Sequence, residues 1–67
     1  MTLGQAIKKA RDAKGLTSYA LAKLVGKPPQ QLMHIERAKY CRLSTLEQIA
    51  AALEMKASEI VAMTEPD

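Results

Sequence analysis

Residues Gly15 to Ala38, GLTSYALAKLVGKPPQQLMHIERA, decide the fold. The stretch predicts a pair of short helices with a tight joint between them. Thr17 marks the start of the first, because its side-chain oxygen can accept a hydrogen bond from a backbone N–H one turn on. Leu21, Leu24 and Val25 follow as an apolar stripe at helical spacing. Gly26 supplies the left-handed residue that closes a helix C-terminus without a Cβ clash, and Pro28 and Pro29 stand where the next helix begins. Proline fits there because first-turn N–H groups have no intrahelical partner to lose. From Pro28 onward, Leu32, Ile35 and the stem of Glu36 share one side, a narrow apolar edge to rest on the preceding helix.

With about 100° per residue and Leu32 pointing inward, Gln30, His34 and Arg37 lie within about 40° of straight outward, flanked by Lys27 and Met33. Gln can make two parallel hydrogen bonds to adenine and Arg two to guanine, and a single helix is slim enough to enter the major groove. The outward row therefore reads as a DNA-contacting face. Pro28 and Pro29 remove two backbone donors from the first turn, so base contacts fall to the side chains of Gln30, Gln31, His34 and Arg37.

Taken in order, Gly15, Leu16, Thr17, Leu21, Ala22, Gly26, Ile35, Glu36 and Lys39 resemble the helix-turn-helix signature of the Cro/CI-type (XRE-like) phage and bacterial repressors. Arg11 upstream, and Leu43, Thr45, Leu46, Ile49, Ala50, Leu53, Ser58, Glu59 and Ile60 downstream, resemble the flanking helices of that family. The resemblance covers nearly the whole chain. It implies an all-α, compact five-helix Cro/CI repressor-like DNA-binding domain over residues 1–63, with the helix-turn-helix at helices 2 and 3 and a short acidic tail over 64–67. It also implies a structural ion pair between Arg11 and Glu36. Ser18, at the start of the second helix, would then meet the DNA backbone, and the loop after the third helix would run along the phosphates with Lys39, Tyr40 and Arg42. The family often carries Gln where this chain has Ser18 and usually Gly where it has Ala38. Its following loop typically contains a Pro, which is missing from the shorter loop here.

A chain of 67 residues holds one domain and buries only about 60% of the surface its unfolded form exposes. Its apolar residues include no Phe or Trp and two Tyr, which suits close helix packing better than a large pocket, so no small-molecule ligand or cofactor is expected. No apolar run reaches membrane-spanning length, and Met1 to Ala10 lacks the pattern of a secretory signal, so a cytoplasmic protein is expected. The single Cys41 permits no internal disulfide, and the pair His34 and Cys41 supplies too few ligands for a zinc site, so no metal is expected. Charge is segregated along the chain. Met1 to Arg42 carries nine Lys or Arg against two acids, whereas Leu43 to Asp67 carries one Lys against five acids. The basic part suits the phosphate backbone and the acidic part points away from it.

Around the central pair, Thr2 and Gln5 have capping-box spacing, and Leu3, Ile7 and Ala10 form the inner face of a first helix that Gly15 closes. Lys8 and Lys9 read as solvated charges. Ser44 and Glu47 form a second capping-box pattern, opening a fourth helix whose Leu46, Ile49, Ala50 and Leu53 face the core. A last helix, roughly 57–63, shows Ile60, Val61 and Met63, more apolar surface than one small core covers. With Met55 these residues form the expected surface of a homodimer, which would read a pseudo-palindromic double-stranded operator at half-sites about 34 Å apart.

Three function classes follow. A sequence-specific DNA-binding transcriptional regulator, in the sense of a small repressor, accounts for the motif, the outward row and the charge segregation. The alternative is a protein-binding module or antitoxin of the same fold, which the altered Ser18 and the double proline leave open. An enzyme is not expected: Ser18, Ser44 and Ser58 all sit at helix starts, with no base and orienting group in combination.

Overall fold

Local capping chemistry sets most of the helix boundaries in the computed structural model, which describes residues 1–64. The helices are α1 (Leu3–Ala13), α2 (Ser18–Val25), α3 (Pro29–Arg37), α4 (Leu43–Ala52) and α5 (Ala57–Ala62). Thr2 Oγ1 accepts from the Gln5 N–H at 3.2 Å while Gln5 Oε1 accepts from the Thr2 N–H at 2.9 Å, the reciprocal box expected at the start of α1. Thr17 Oγ1 accepts from the Ala20 N–H at 3.1 Å and opens α2. Pro28 is the extended residue that leads into α3. The start of α4 departs from the expected pattern: Arg42 is the cap and Ser44 already lies inside the first turn, so the box between Ser44 and Glu47 does not form. At α5, Glu59 Oε1 accepts from the Lys56 N–H at 2.9 Å, and the helix ends at Ala62, one residue short of Met63. Of the expected acidic tail, only Thr64 falls among the described residues.

Three helix ends close with the same backbone bond, from an N–H to the carbonyl five residues earlier. Leu16 donates to Arg11 O at 3.2 Å, Lys27 to Ala22 O at 3.0 Å, and Met55 to Ala50 O at 2.8 Å. Each needs a left-handed residue just before the donor. Gly15 (φ +74°) and Gly26 (φ +76°) serve the first two, but the third is Glu54, at φ +58°.

α1 packs on α3 and α5, α2 on α3 and α4, and α4 on α5. The core they enclose contains Ile7, Leu21, Leu32, Ile49, Leu53 and Ile60 as its largest fully buried side chains, with Ala6, Ala10, Ala22 and Ala50 between them. Leu24, expected on the inner stripe of α2, is 62% exposed, and Ala22 is buried in its place. The inward direction of α2 lies between Leu21 and Ala22, which leaves Leu24 about 100° around the helix. The small Ala22 side chain suits a close approach of α2 to its neighbours.

The first turn of α1 also abuts the end of α3. The Gly4 N–H donates to Ala38 O at 3.1 Å, and a Cβ on Gly4 would stand 2.6 Å from that oxygen. No larger residue fits without a shift of backbone. Ala38 itself is extended (φ −84°, ψ 155°), so α3 ends without a left-handed residue and has no need of a glycine there.

Candidate nucleic-acid interface

Arg11 fixes the orientation of α3. Its Nε lies 2.7 Å from Glu36 Oε2 and its Nη2 3.3 Å from Glu36 Oε1, a bidentate pair between side chains only 10% and 8% exposed. The third nitrogen, Nη1, donates to Leu16 O at 2.8 Å and lies 3.3 Å from Asp12 Oδ1. One guanidinium thus ties α1 to α3 and to the segment entering α2. The hydrogen bond to Glu36 raises the Arg11 pKa above its ordinary value, against the opposing effect of burial. Glu36 is the sole acid of α3, and with both oxygens bonded to Arg11 it offers little negative charge to a ligand beside the helix.

The outward face of α3 has the composition expected of it. Gln30, His34 and Arg37 line one shallow groove together with Met33, an exposed residue. A second groove brings Lys27, Gln31 and His34 against Tyr40, Cys41 and Arg42 from the loop before α4. A third, on the opposite flank, joins Ser18 of α2 and Arg37 to Lys39, Gln5 and Lys8, over the Arg11–Glu36 pair. All nine residues expected to touch DNA therefore lie on α3 or in the grooves along its two sides. Lys8 was not among them: its neighbours in sequence mark it only as a solvated charge, and the fold alone brings it beside Ser18 and Lys39.

Cys41 is half-buried, and burial pushes its thiol pKa above its ordinary value. α3 ends at Arg37, so His34 and Cys41 do not share a helix face. Among the described residues no three His, Cys, Asp or Glu side chains gather as a metal site, and no helix is long and apolar enough to cross a membrane.

The expected dimer surface needs correction. Ile60 is fully buried in the core and cannot contribute to a surface. Val61, 47% exposed, lines a groove with Met1, Leu3 and Tyr40, whereas Met55 and Met63 line another with Ala10, Ala13 and Leu53. A six-residue helix packed against α1 and α4 turns one residue inward and leaves the next outside, so its apolar residues divide between core and surface.

The chain matches the model of the Helix-turn-helix family over residues 7–60, from the middle of α1 into α5. It is 44% identical over 62 residues to the immunity repressor protein of Bacillus phage phi105, an alignment that takes in 91% of this chain and 43% of that protein, so the chain spans less than half the length of the relative. Its structure is similar to that of SinR, the master regulator for biofilm formation, in a crystal structure with DNA: the TM-score is 0.81 at 29% identity, over 90% of this chain and 98% of that one. The matched segment contains the capped pair α2 and α3, the Arg11–Glu36 tie and the polar outward row, and the chain belongs to the helix-turn-helix family, in its Cro/CI-type (XRE-like) branch.

Proposed function

We propose that this domain is a sequence-specific reader of double-stranded DNA and acts as a small transcriptional repressor in the cytoplasm. The observation that carries the reading is the exposed row of Gln30, His34 and Arg37 between two basic flanks, with the one acid of the helix bonded to Arg11. α3 lies in the major groove, where Gln30 and His34 meet base edges and Arg37 meets a base or a phosphate. Gln31 borders the row. Met33 adds an apolar side chain suited to a thymine methyl group. Lys27, Tyr40 and Arg42 on one side, and Ser18 and Lys39 on the other, hold the sugar-phosphate backbone and set the register without reading sequence. The repressor sense is supported by the likeness to the phage immunity repressor, and the DNA partner by the likeness to SinR bound to DNA.

Selection of duplexes from a random pool, followed by titration of the selected site, tests this reading. Gln30→Ala loses about 1 to 3 kcal/mol at that site and relaxes the choice of one base pair, while its affinity for random duplex is unchanged. If Gln30→Ala binds the selected site as tightly as the parent, α3 is not docked in this way. A domain of this size covers a few base pairs, so two copies on a pseudo-palindromic operator would repeat its contacts one helical turn, about 34 Å, along the DNA. Val61, exposed on α5, is the surface for that pairing, while Met55 and Met63 line a separate groove. Cooperative occupancy of both half-sites by a folded Val61→Glu variant would rule that surface out.

A further inference from the structure

Resting on the DNA reading, we infer that α1 takes part in binding: Lys8 completes a site for one backbone phosphodiester in the groove between α1, the start of α2 and the end of α3. Three cations from two distant parts of the chain, Lys8 on α1 and the pair Arg37 and Lys39 at the end of α3, line this groove. The carboxylate in it, Glu36, has both oxygens bonded to Arg11, so the charge on Lys8, Arg37 and Lys39 is left to act on a ligand. Neutral donors complete the set. The Ser18 hydroxyl lines the same groove, as does Gln5. The Gln5 carbonyl oxygen accepts from the Thr2 N–H, which leaves its NH2 group free to donate. A concave cluster of cations and donors suits an anion with several acceptor oxygens.

Position identifies the anion. Arg37 and Met33 border both this groove and the row containing Gln30 and His34. With that row on base edges, the groove lies at the rim of the major groove, where the sugar-phosphate strand runs. The neighbouring Lys9 is the built-in contrast, since it lines the opposite side of α1 with Ala10, Ala13, Met55 and Met63. Lys8 and Lys9 are both exposed and carry the same charge, so they differ only in which way the helix turns them.

The test is the salt dependence of binding to a selected duplex and to a random one, for the parent, Lys8→Gln, Lys9→Gln and Lys39→Gln. Lys8→Gln lowers the slope of log affinity against log salt by about 0.9, equally on both duplexes, so its deficit shrinks about 3.5-fold between 50 and 200 mM salt. Lys9→Gln leaves the slope at the parent value, and Lys8→Arg restores it. A parental slope in Lys8→Gln, with a reduced slope in Lys39→Gln, overturns the role of Lys8 and leaves the DNA reading standing. Parental slopes in all three variants overturn the roles of Lys8 and Lys39 alike, and no binding to duplex DNA by the parent overturns the DNA reading with them. Thermal melting of each variant at parental temperature shows that the fold is intact, as exposed lysines lead one to expect.

Discussion

The joint from α2 to α3 and the joint from α4 to α5 use the same backbone hydrogen bond but are made from opposite materials. The first places Gly26 at its left-handed residue and Pro28 at the entry to the next helix, after a helix that Thr17 opens as a side-chain cap. The second places Glu54 at the left-handed residue, and neither α4 nor α5 has a side-chain acceptor at its cap, the positions being Arg42 and Lys56. The reading half is thus set by local chemistry, and each residue favours the conformation it adopts. The back half is held by burial of Leu46, Ile49, Leu53 and Ile60, against some of its own local preferences. In the α2–α3 half one distant contact is added to the local chemistry, the Arg11–Glu36 pair that ties α3 to α1.

The largest effect is expected where the two halves meet α1. Glu36→Ala leaves the buried Arg11 guanidinium without its partner and should destabilise the domain by about 3 to 5 kcal/mol in urea unfolding. A variant that unfolds at the parental midpoint would mean that the orientation of α3 is set by α2 alone, without the tie to α1. Next in size is Ile60→Ala, which removes a fully buried side chain from the half that packing holds and should lose about 2 to 5 kcal/mol. Gly26→Ala tests the other half. It puts a Cβ on a left-handed residue with open space around it, so only the backbone penalty of about 1 to 2 kcal/mol applies. The reverse order, with Gly26→Ala the more damaging of the two, would break the comparison.

The same division explains what was legible in the sequence. The capped ends of α1 and α2, the proline start of α3 and its outward row could all be read, because each depends on residues within a turn or two of one another. The inner stripe of α2 differs from the expected one in a single member, Ala22 instead of Leu24, since only the neighbouring helices determine which way a short helix rolls. Gly4 gave no signal of its own, its need for a missing Cβ arising from the Glu36 and Ala38 carbonyls far along the chain. Ser44 and Glu47 have the right spacing for a cap, yet α4 begins two residues earlier than that pattern requires. Ile60 looked like surplus apolar surface because the depth of the core under α5 is a property of the packed domain. Lys8 is the corresponding case in the site: its charge was visible, its direction was not.

A smaller effect concerns the apolar member of the reading face. If Met33 packs on a thymine methyl, replacing thymine by deoxyuracil in the selected site removes that contact alone. The loss should be about 0.8 kcal/mol, near fourfold, at one or two positions for the parent and absent in Met33→Ala. Equal losses in parent and variant would assign the methyl contact to another side chain, and no loss in either would leave α3 reading by hydrogen bonds only.

The smallest effect tests the weakest local fit, Glu54. A side chain at φ +58° carries a steric penalty that glycine does not, while Glu54 gains a contact with the Lys14 ammonium at the end of α1. That carboxylate is exposed, and an exposed ion pair contributes little. Glu54→Gly therefore removes the penalty at slight loss, even after the greater freedom that glycine gives the unfolded chain, and should melt above the parent at neutral pH. The pH dependence has a definite sign. The hydrogen bond to Lys14 holds the Glu54 carboxyl below its ordinary pKa, so its contribution is present above the unfolded value and lost as pH falls through the folded one. The parent loses that contribution in acid and the glycine variant has none to lose, so the gap in melting temperature should widen as the pH is lowered through the carboxylate range. A variant that melts below the parent at neutral pH and rises above it in acid would make the Lys14 contact the stronger of the two, and the joint between α4 and α5 would then be held by a charge pair as well as by its core.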